Sequence, residues 1–425
     1  MKKITAALVG VGMQGMNAYG PYVLSHPDEL QFTAVAEPDR EKREKFGNQH
    51  GVNKSMRFES WEELFDKPRL ADVVFICTPD KMHFNPAVKA FERGYNIILE
   101  KPMAVDPIEC IRLGEYSEKY DNIFAICHVL RYTPFFKTIK RILDDGRIGN
   151  LVSIQHNENV GHWHQSHSYV RGNWRNSKDS SPMILAKSCH DMDIMLWLAG
   201  ADCTRLSSFG SLMHFKKKNA PKGAPKMCLD GCPAEKECPY YAPKVYSPGA
   251  KGWSLIDAVS IDTGRKNILE ELKSGPYGRC VYYCDNDVVD HQVVSIEFSN
   301  KVTAAFTMCA FTNETSRTIK LMGTKGEIRG AMEKEEIEIF DFLTGQKEVV
   351  LIPVDTIDRR GHGGGDFGMI HDIIKLIQKN VLNKIATSAD VSVKSHLMAF
   401  AAEKARIENR VIKINEYIYE LKNQF

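Results

Sequence analysis

The opening of this chain constrains its fold more than any other stretch. ITAALV, residues 4–9, is a short, unbroken apolar run, and GVGMQG follows it at once. A continuous apolar run bounded by glycines reads as a strand buried on both faces, the kind found in parallel sheets. A GxGxxG pattern placed between such a strand and a helix has a physical purpose. Gly10 permits a tight turn. Gly12 lets an anion approach backbone N–H groups at a helix N-terminus, and Gly15 lets the helix close on the strand. Met13 and Gln14 lie inside the motif and are candidates for contact with the same ligand.

The pattern then repeats. QFTAVAEPD, ADVVFICTPD, YNIILEKPM and IFAICHVLRY are further apolar runs. Helical patterns separate them at 17–25, 40–50, 85–93 and 107–119. Alternating strands and helices predict a doubly wound parallel sheet over residues 1–127. After about Ile148 the texture changes to longer runs with polar–apolar alternation, such as NLVSIQHNENV, HQVVSIEFSN and KVTAAFTMCAFT. These predict an α+β domain over 128–385 with a large, mostly antiparallel open sheet. One continuous helix is expected at MILAKSCHDMDIMLWLAG, an excursion at 215–284, and a helical segment at 386–425.

Composition excludes several classes. The net charge is +2 over 425 residues, which gives no support for nucleic-acid or acidic-membrane partners. No apolar run is long enough to span a bilayer. The two N-terminal lysines raise the possibility of a signal peptide, but the apolar run after them is short and ends in the glycine motif, so a cytoplasmic protein is expected. Eleven scattered cysteines argue against a secreted disulfide framework.

Glu37 ends the second predicted strand, where a carboxylate accepts hydrogen bonds from ribose hydroxyls and repels a 2′-phosphate. This favours NAD. Arg40, close by, could instead hold the phosphate of NADP. Thr78, Pro79 and His83 follow the next strand at the edge where ligands bind in open α/β sheets. Glu100 and Lys101 end the strand YNIIL, which points the lysine at the same crevice.

GVGMQG, AEPD, CTPDKMH, LEKPMA and the helix with HDMD resemble, in order and spacing, the Gfo/Idh/MocA oxidoreductases. The resemblance covers nearly the whole chain. It implies a Rossmann domain followed by a substrate domain that often forms the interface of a dimer or tetramer. It also implies NAD(P)-dependent chemistry on a sugar or cyclitol carbon. By motif, Lys101 corresponds to the family's pocket lysine and His190 to its acid/base histidine. Many relatives have an acid four residues before that histidine, where this chain has Ala186. Lys187 stands next to it, and on a continuous helix it would share a face with His190. It is a third candidate for substrate binding or proton transfer, against the plain alternative of a Lys187–Asp191 ion pair. Asp193 is expected to cap or pair locally, or to bind substrate.

ENVGHWHQSHSYVRGNWRN, from Glu158, admits three readings. His162, His164 and His167, with His156, could bind zinc. The same histidines with Tyr169, Trp174, Arg171 and Arg175 could form a sugar-binding wall, the arginines suiting a carboxylate or phosphate. The segment could also be a polar loop. The wall is the favoured reading, and His362 in GHGGGD is a further wall candidate. Cys228, Cys232, Cys238 and Cys284 are candidate ligands of a structural zinc, with Cys284 preferred over Cys280.

Three functions remain open. The first is a sugar or polyol dehydrogenase. The second is a redox-neutral glycosidase working by oxidation, elimination and reduction. The third is a non-catalytic dinucleotide-binding regulator.

Overall fold

A computed structural model describes residues 2–423 except 261, 353–361, 380 and 382–385, with the backbone alone at 252–254. Its first layer is a six-stranded sheet of β1 (Ile4–Val9), β2 (Leu30–Ala36), β3 (Arg57–Phe58), β4 (Val73–Ile76), β5 (Asn96–Leu99) and β6 (Phe124–Ile126). The order is β3-β2-β1-β4-β5-β6 and every pair is parallel. The strand order reverses between β1 and β4, and ligands of such sheets bind in the crevice that this reversal opens. Val9 lies beside Ala36 and Ile76 in register, so the residues that follow β1, β2 and β4 emerge together.

The second layer is a nine-stranded sheet. Its strands are β7 (Leu151–Asn159), β8 (Cys203–Ser211), β9 (His291–Phe298), β10 (Thr303–Cys309), β11 (Ser316–Gly323), β12 (Gly326–Ala331), β13 (Glu336–Asp341), β14 (Lys347–Leu351) and β15 (Ile412–Lys413). They run in the order β14-β13-β12-β11-β7-β10-β9-β8-β15, and only β7 and β10 pair in parallel. Alternate residues along a strand face opposite sides. Ile154, His156 and Glu158 of β7 all face inward and are fully buried. The helices 189–199 and 389–408 cover that inner face, and 389–408 also packs on helix 107–119 of the first domain.

Three expectations about the chain change. The helix expected over 183–200 is broken: one turn spans Met183–Ala186, and a second helix runs Cys189–Ala199. Lys187 and Ser188 form the joint, so Lys187 and His190 do not share a helix face. Phe367, Ile370, Ile373 and Ile374, on helix 365–379, pack into the core around β1, so this stretch of the expected second domain completes the first. The terminal segment is not purely helical, because β15 pairs with β8 and closes the edge of the large sheet. The excursion at 215–284 has a small core of its own, in which Ile268 and Leu272 of helix 265–274 meet Ala242, Val245 and Tyr246.

Candidate active site in the interdomain cleft

The glycine motif is shaped as its residue types require. Gly10 has φ +90°, and a Cβ there would lie 2.6 Å from the Cys77 carbonyl oxygen. A Cβ at Gly15 would lie 2.7 Å from the Gly10 oxygen and 3.2 Å from Leu8. At Gly12 the nearest protein atom would be 4.0 Å away, so the chain leaves room there for a ligand. Glu37 follows β2 and faces the same turn, its carboxylate accepting from the N–H groups of Val11 (2.7 Å) and Asp39 (3.0 Å). Arg40 is exposed at the start of the next helix and Met13 is exposed on the turn. These residues fit a dinucleotide: a glycine turn open to an anion, and a carboxylate beside it.

Two of the expected cofactor residues are struts. His83 is buried, with Nδ1 2.6 Å from the Pro102 oxygen and Nε2 2.9 Å from that of Thr78. It ties the turn that holds Pro79 to the loop after β5. Glu100 is buried and accepts from Tyr19, from Gln14 (3.3 Å) and from the Lys101 N–H (3.1 Å), which locks that loop from beneath.

Lys101 crosses the cleft. Its Nζ donates to the Ala186 oxygen of the second domain at 3.0 Å. His190 lies nearby, 3% exposed, with neither ring nitrogen hydrogen-bonded. Its ring centre is 5.8 Å from that of His128 and 5.8 Å from that of His362. Burial, and then the charge of Lys101, pushes its pKa well below the usual range and leaves the ring neutral. His362 is turned by a 2.9 Å contact with Asp366.

Lys187 stands at the helix joint, within electrostatic reach of Lys101 and His164. Its Nζ is 3.3 Å from Glu158 Oε1. The opposite oxygen of Glu158 meets Arg317 Nη2 at 2.5 Å, Arg317 Nε meets Asp191 at 2.9 Å, and Asp191 meets His156 at 2.8 Å. Lys187 is thus paired with Glu158 and not with Asp191. Burial would raise the Asp191 pKa, but Arg317 and His156 hold it down to about 2. Asp193 turns away and pairs with buried Arg131 at 2.6 Å.

The histidine-rich stretch divides. It is helical over 162–171, so His162 and His164 do not share a strand face. His164 turns to the cleft: its Nδ1 is buried without a partner, and burial followed by the charge of Lys187 holds its pKa well below the usual range. Tyr169 and Trp174 stand beside it, with ring centres 6.0 Å from His164 to Tyr169 and 6.1 Å from Tyr169 to Trp174. Trp174 donates to Asp80 at 3.0 Å. His162 is half-buried, its ring 5.9 Å from that of Tyr240 in the excursion.

Three residues expected in the wall serve the fold. His167 bonds to the Tyr246 hydroxyl (2.8 Å) and stacks on Tyr277, and burial lowers its pKa to about 3. Arg171 is fully buried and donates to the carbonyls of Arg279 (2.7 Å) and Tyr240 (2.6 Å). Arg175 pairs with Asp285 at 2.8 Å. The partners of His167 and Arg171 lie in the excursion, and that of Arg175 just after it. Among the described residues, no group of three or more His, Cys, Asp or Glu side chains is placed to hold a metal. Cys228 lies 3.8 Å from Arg171 Nη2, and the Cys284 thiol points at the Cys280 oxygen, while Cys238 is within electrostatic reach of Cys228 and Cys232, and Cys280 of Cys228 and Cys238.

Glu158, Arg317, Asp191 and Asp80 were missed by sequence reasoning. Glu158 alone had a readable signal, a carboxylate at an inward position of an alternating strand. The others depend on partners distant in sequence.

Comparison with known proteins agrees with this geometry. Residues 4–128 match the family model described as an oxidoreductase family with an NAD-binding Rossmann fold, and residues 140–384 match its C-terminal alpha/beta domain. The chain belongs to the Gfo/Idh/MocA oxidoreductase family. It is 26% identical over 220 residues to the NAD(+) scyllo-inositol 2-dehydrogenase of Bacillus subtilis, covering 50% of this chain and 58% of that protein. It is 23% identical over 200 residues to the 2,7-anhydro-N-acetylneuraminate hydratase of Mediterraneibacter gnavus, covering 47% of this chain and 50% of that one. These alignments span about half the length of each relative. Among solved structures, levoglucosan dehydrogenase in complex with NADH and L-sorbose superposes with a TM-score of 0.72 at 18% identity, over 97% of this chain and 99% of that chain. No helix among the described residues is long and apolar enough to cross a membrane.

Proposed function

We propose that this oxidoreductase moves a hydride between NAD, in preference to NADP, and a secondary alcohol carbon of a sugar, sugar acid or cyclitol. The observation that supports this most is His190: a buried imidazole held neutral, with both nitrogens unpartnered, in the cleft that Lys101 crosses. A buried polar group without a partner is costly, and a ligand hydroxyl would supply one. The bound nicotinamide supplies the hydride acceptor or donor. Removing hydride from an alcohol carbon requires the hydroxyl proton to leave as well, and neutral His190 can take it. Lys101 is placed to donate to the same oxygen as negative charge grows on it. Tyr169, Trp174 and His164 provide an aromatic and polar wall for a polyhydroxylated ring, with Asp80 behind Trp174. Glu37, beside the glycine turn, supports NAD.

The test is a panel of aldoses, sugar acids and cyclitols with NAD+, read by absorbance of NADH. Turnover that is lost in His190→Ala, with NAD binding kept, supports the reading. Turnover unchanged in that variant overturns it.

A second reading is favoured by Lys187, a proton-bearing group beyond the two that a dehydrogenase needs. Oxidation beside a glycosidic or anhydro linkage acidifies the neighbouring C–H, permits elimination, and is reversed by the same NADH. Cleavage without net NADH distinguishes it from the first.

A further inference from the structure

Lys187 is the group at this site whose state is least ordinary. Its side chain is 13% exposed, and cations surround it. Lys101 approaches from the loop after β5 and Arg317 from β11, while His164 faces it from the helical stretch 162–171. On its own side lies Asp191, already occupied by Arg317 and His156. Burial and the two cations all favour a neutral amine. Two carboxylates oppose them, Glu158 first and Asp191 after it. Glu158, fully buried on the inner face of β7, sets one carboxylate oxygen against Lys187 and the other against Arg317.

The charges of the linked ion pairs, Lys101 standing outside them, balance on one condition. Lys187 and Arg317 contribute two positive charges, and Glu158 and Asp191 two negative ones, if Lys187 keeps its proton. Loss of that proton would leave two buried carboxylates with one guanidinium between them. Geometry gives the same answer. Glu158 is fully buried, and its second oxygen is ion-paired at 2.5 Å with an arginine that Asp191 holds in turn, although neither carboxylate oxygen makes a hydrogen bond. The carboxylate is the anion nearest to Nζ, at 3.3 Å.

We propose that Glu158 is a positioning residue that holds Lys187 as an ammonium aimed into the cleft, so that Lys187 is a donor at this site and His190 its proton acceptor. The assignment rests on the hydride-transfer reading. It deepens that reading by giving the two nitrogen bases opposite tasks, as environments that push titratable groups apart do elsewhere. Lys187 then faces a substrate oxygen that gains negative charge or carries it from the start. This favours a sugar acid, or a substrate with a leaving oxygen next to the oxidised carbon, over a simple neutral polyol. Glu158 itself touches no substrate. It acts through the lysine.

The experiment reads Lys187 directly. The protein is labelled with [ε-13C]lysine and titrated by NMR with NAD bound, and Lys187→Met identifies the signal. Wild type is expected to show Lys187 as ammonium at pH 7.5. In Glu158→Gln the titration midpoint should fall by one pH unit or more, a tenfold loss of the ammonium form on the alkaline side. The alkaline limb of kcat/KM should move down with it, while Glu158→Asp restores most of the shift. A role in folding alone would lower stability and leave both curves in place. A neutral amine at pH 7.5 in wild type would overturn the proposal, as would a midpoint that does not move in Glu158→Gln. If Glu158→Gln fails to fold, the wild-type titration still decides. The NMR arm needs no turnover, so failure of every alcohol on the panel would sink the proposed reaction while this assignment is judged separately.

Discussion

The two ends of the histidine-rich stretch, only a few residues apart, have opposite fates. At one end His164 presents a buried nitrogen with no partner to the cleft. At the other, His167 Nδ1 and two of the three Arg171 nitrogens are engaged by Tyr246, Tyr240 and Arg279 of the excursion, Arg171 Nη1 alone being left without a partner. Composition is the same at both ends, and what differs is whether the fold supplies the partner. A polar group that the protein satisfies is structure. One that it buries beside the cleft and leaves open, as at His190 and His164, can take a ligand's hydroxyl.

The comparison can be broken most directly at the open end. Lys101→Met and His190→Ala should each lower the hydride-transfer rate by roughly 10²–10⁴-fold, with little effect on folding. Stopped-flow absorbance of NADH measures the first, and thermal melts the second. A variant that unfolds instead would place these residues with His167.

The satisfied end should respond in the opposite way. Arg171→Ala removes two buried charge-assisted hydrogen bonds and should destabilise the protein by about 3 kcal/mol. Denaturant melts measure this. The rate per folded molecule should hold, and a lost rate at unchanged stability would return Arg171 to the ligand wall.

Acid sharpens the contrast. Burial lowers the folded-state pKa of His167 and of His396 to about 3. The unfolded chain takes up those protons near pH 6.5 and the folded one does not. Stability should therefore be full above about pH 6.5 and decline as pH falls toward 3. Melts across that window should show the decline, and His167→Phe should flatten part of it. A stability that rises on acidification would contradict the burial of both rings.

The smallest effect is expected at the cofactor turn. Glu37→Ala should narrow the preference for NAD over NADP several-fold, without loss of fold. Titration with each dinucleotide by fluorescence gives the ratio.

Much of this molecule was legible in one dimension because its signals are local. The glycine spacing, the strand before it and the helix after it need only neighbours in sequence, and Gly10 and Gly15 occupy the positions those neighbours demand. Lys101 and His190 were found by motif, and the cleft joins them. The preference for Cys284 over Cys280 had no local signal behind it, because spacing along a loop does not say which way a thiol turns, and the Cys284 thiol turns to the Cys280 oxygen. The unbroken helix at 183–200 was wrong for a related reason. Its apolar residues satisfy a helical period throughout, and only the packed structure places the joint at Lys187 and Ser188.

The sequence by itself determined the two-domain architecture and the dinucleotide turn, and it singled out the lysine and histidine proposed for the cleft. Tertiary structure decided which polar groups stay open. Glu158, Arg317 and Asp191 come from β7, β11 and the helix 189–199, and they meet only once the large sheet has formed. Their effect on Lys187 is electrostatic, and that effect depends on distance and burial, which no order of residues along a chain contains.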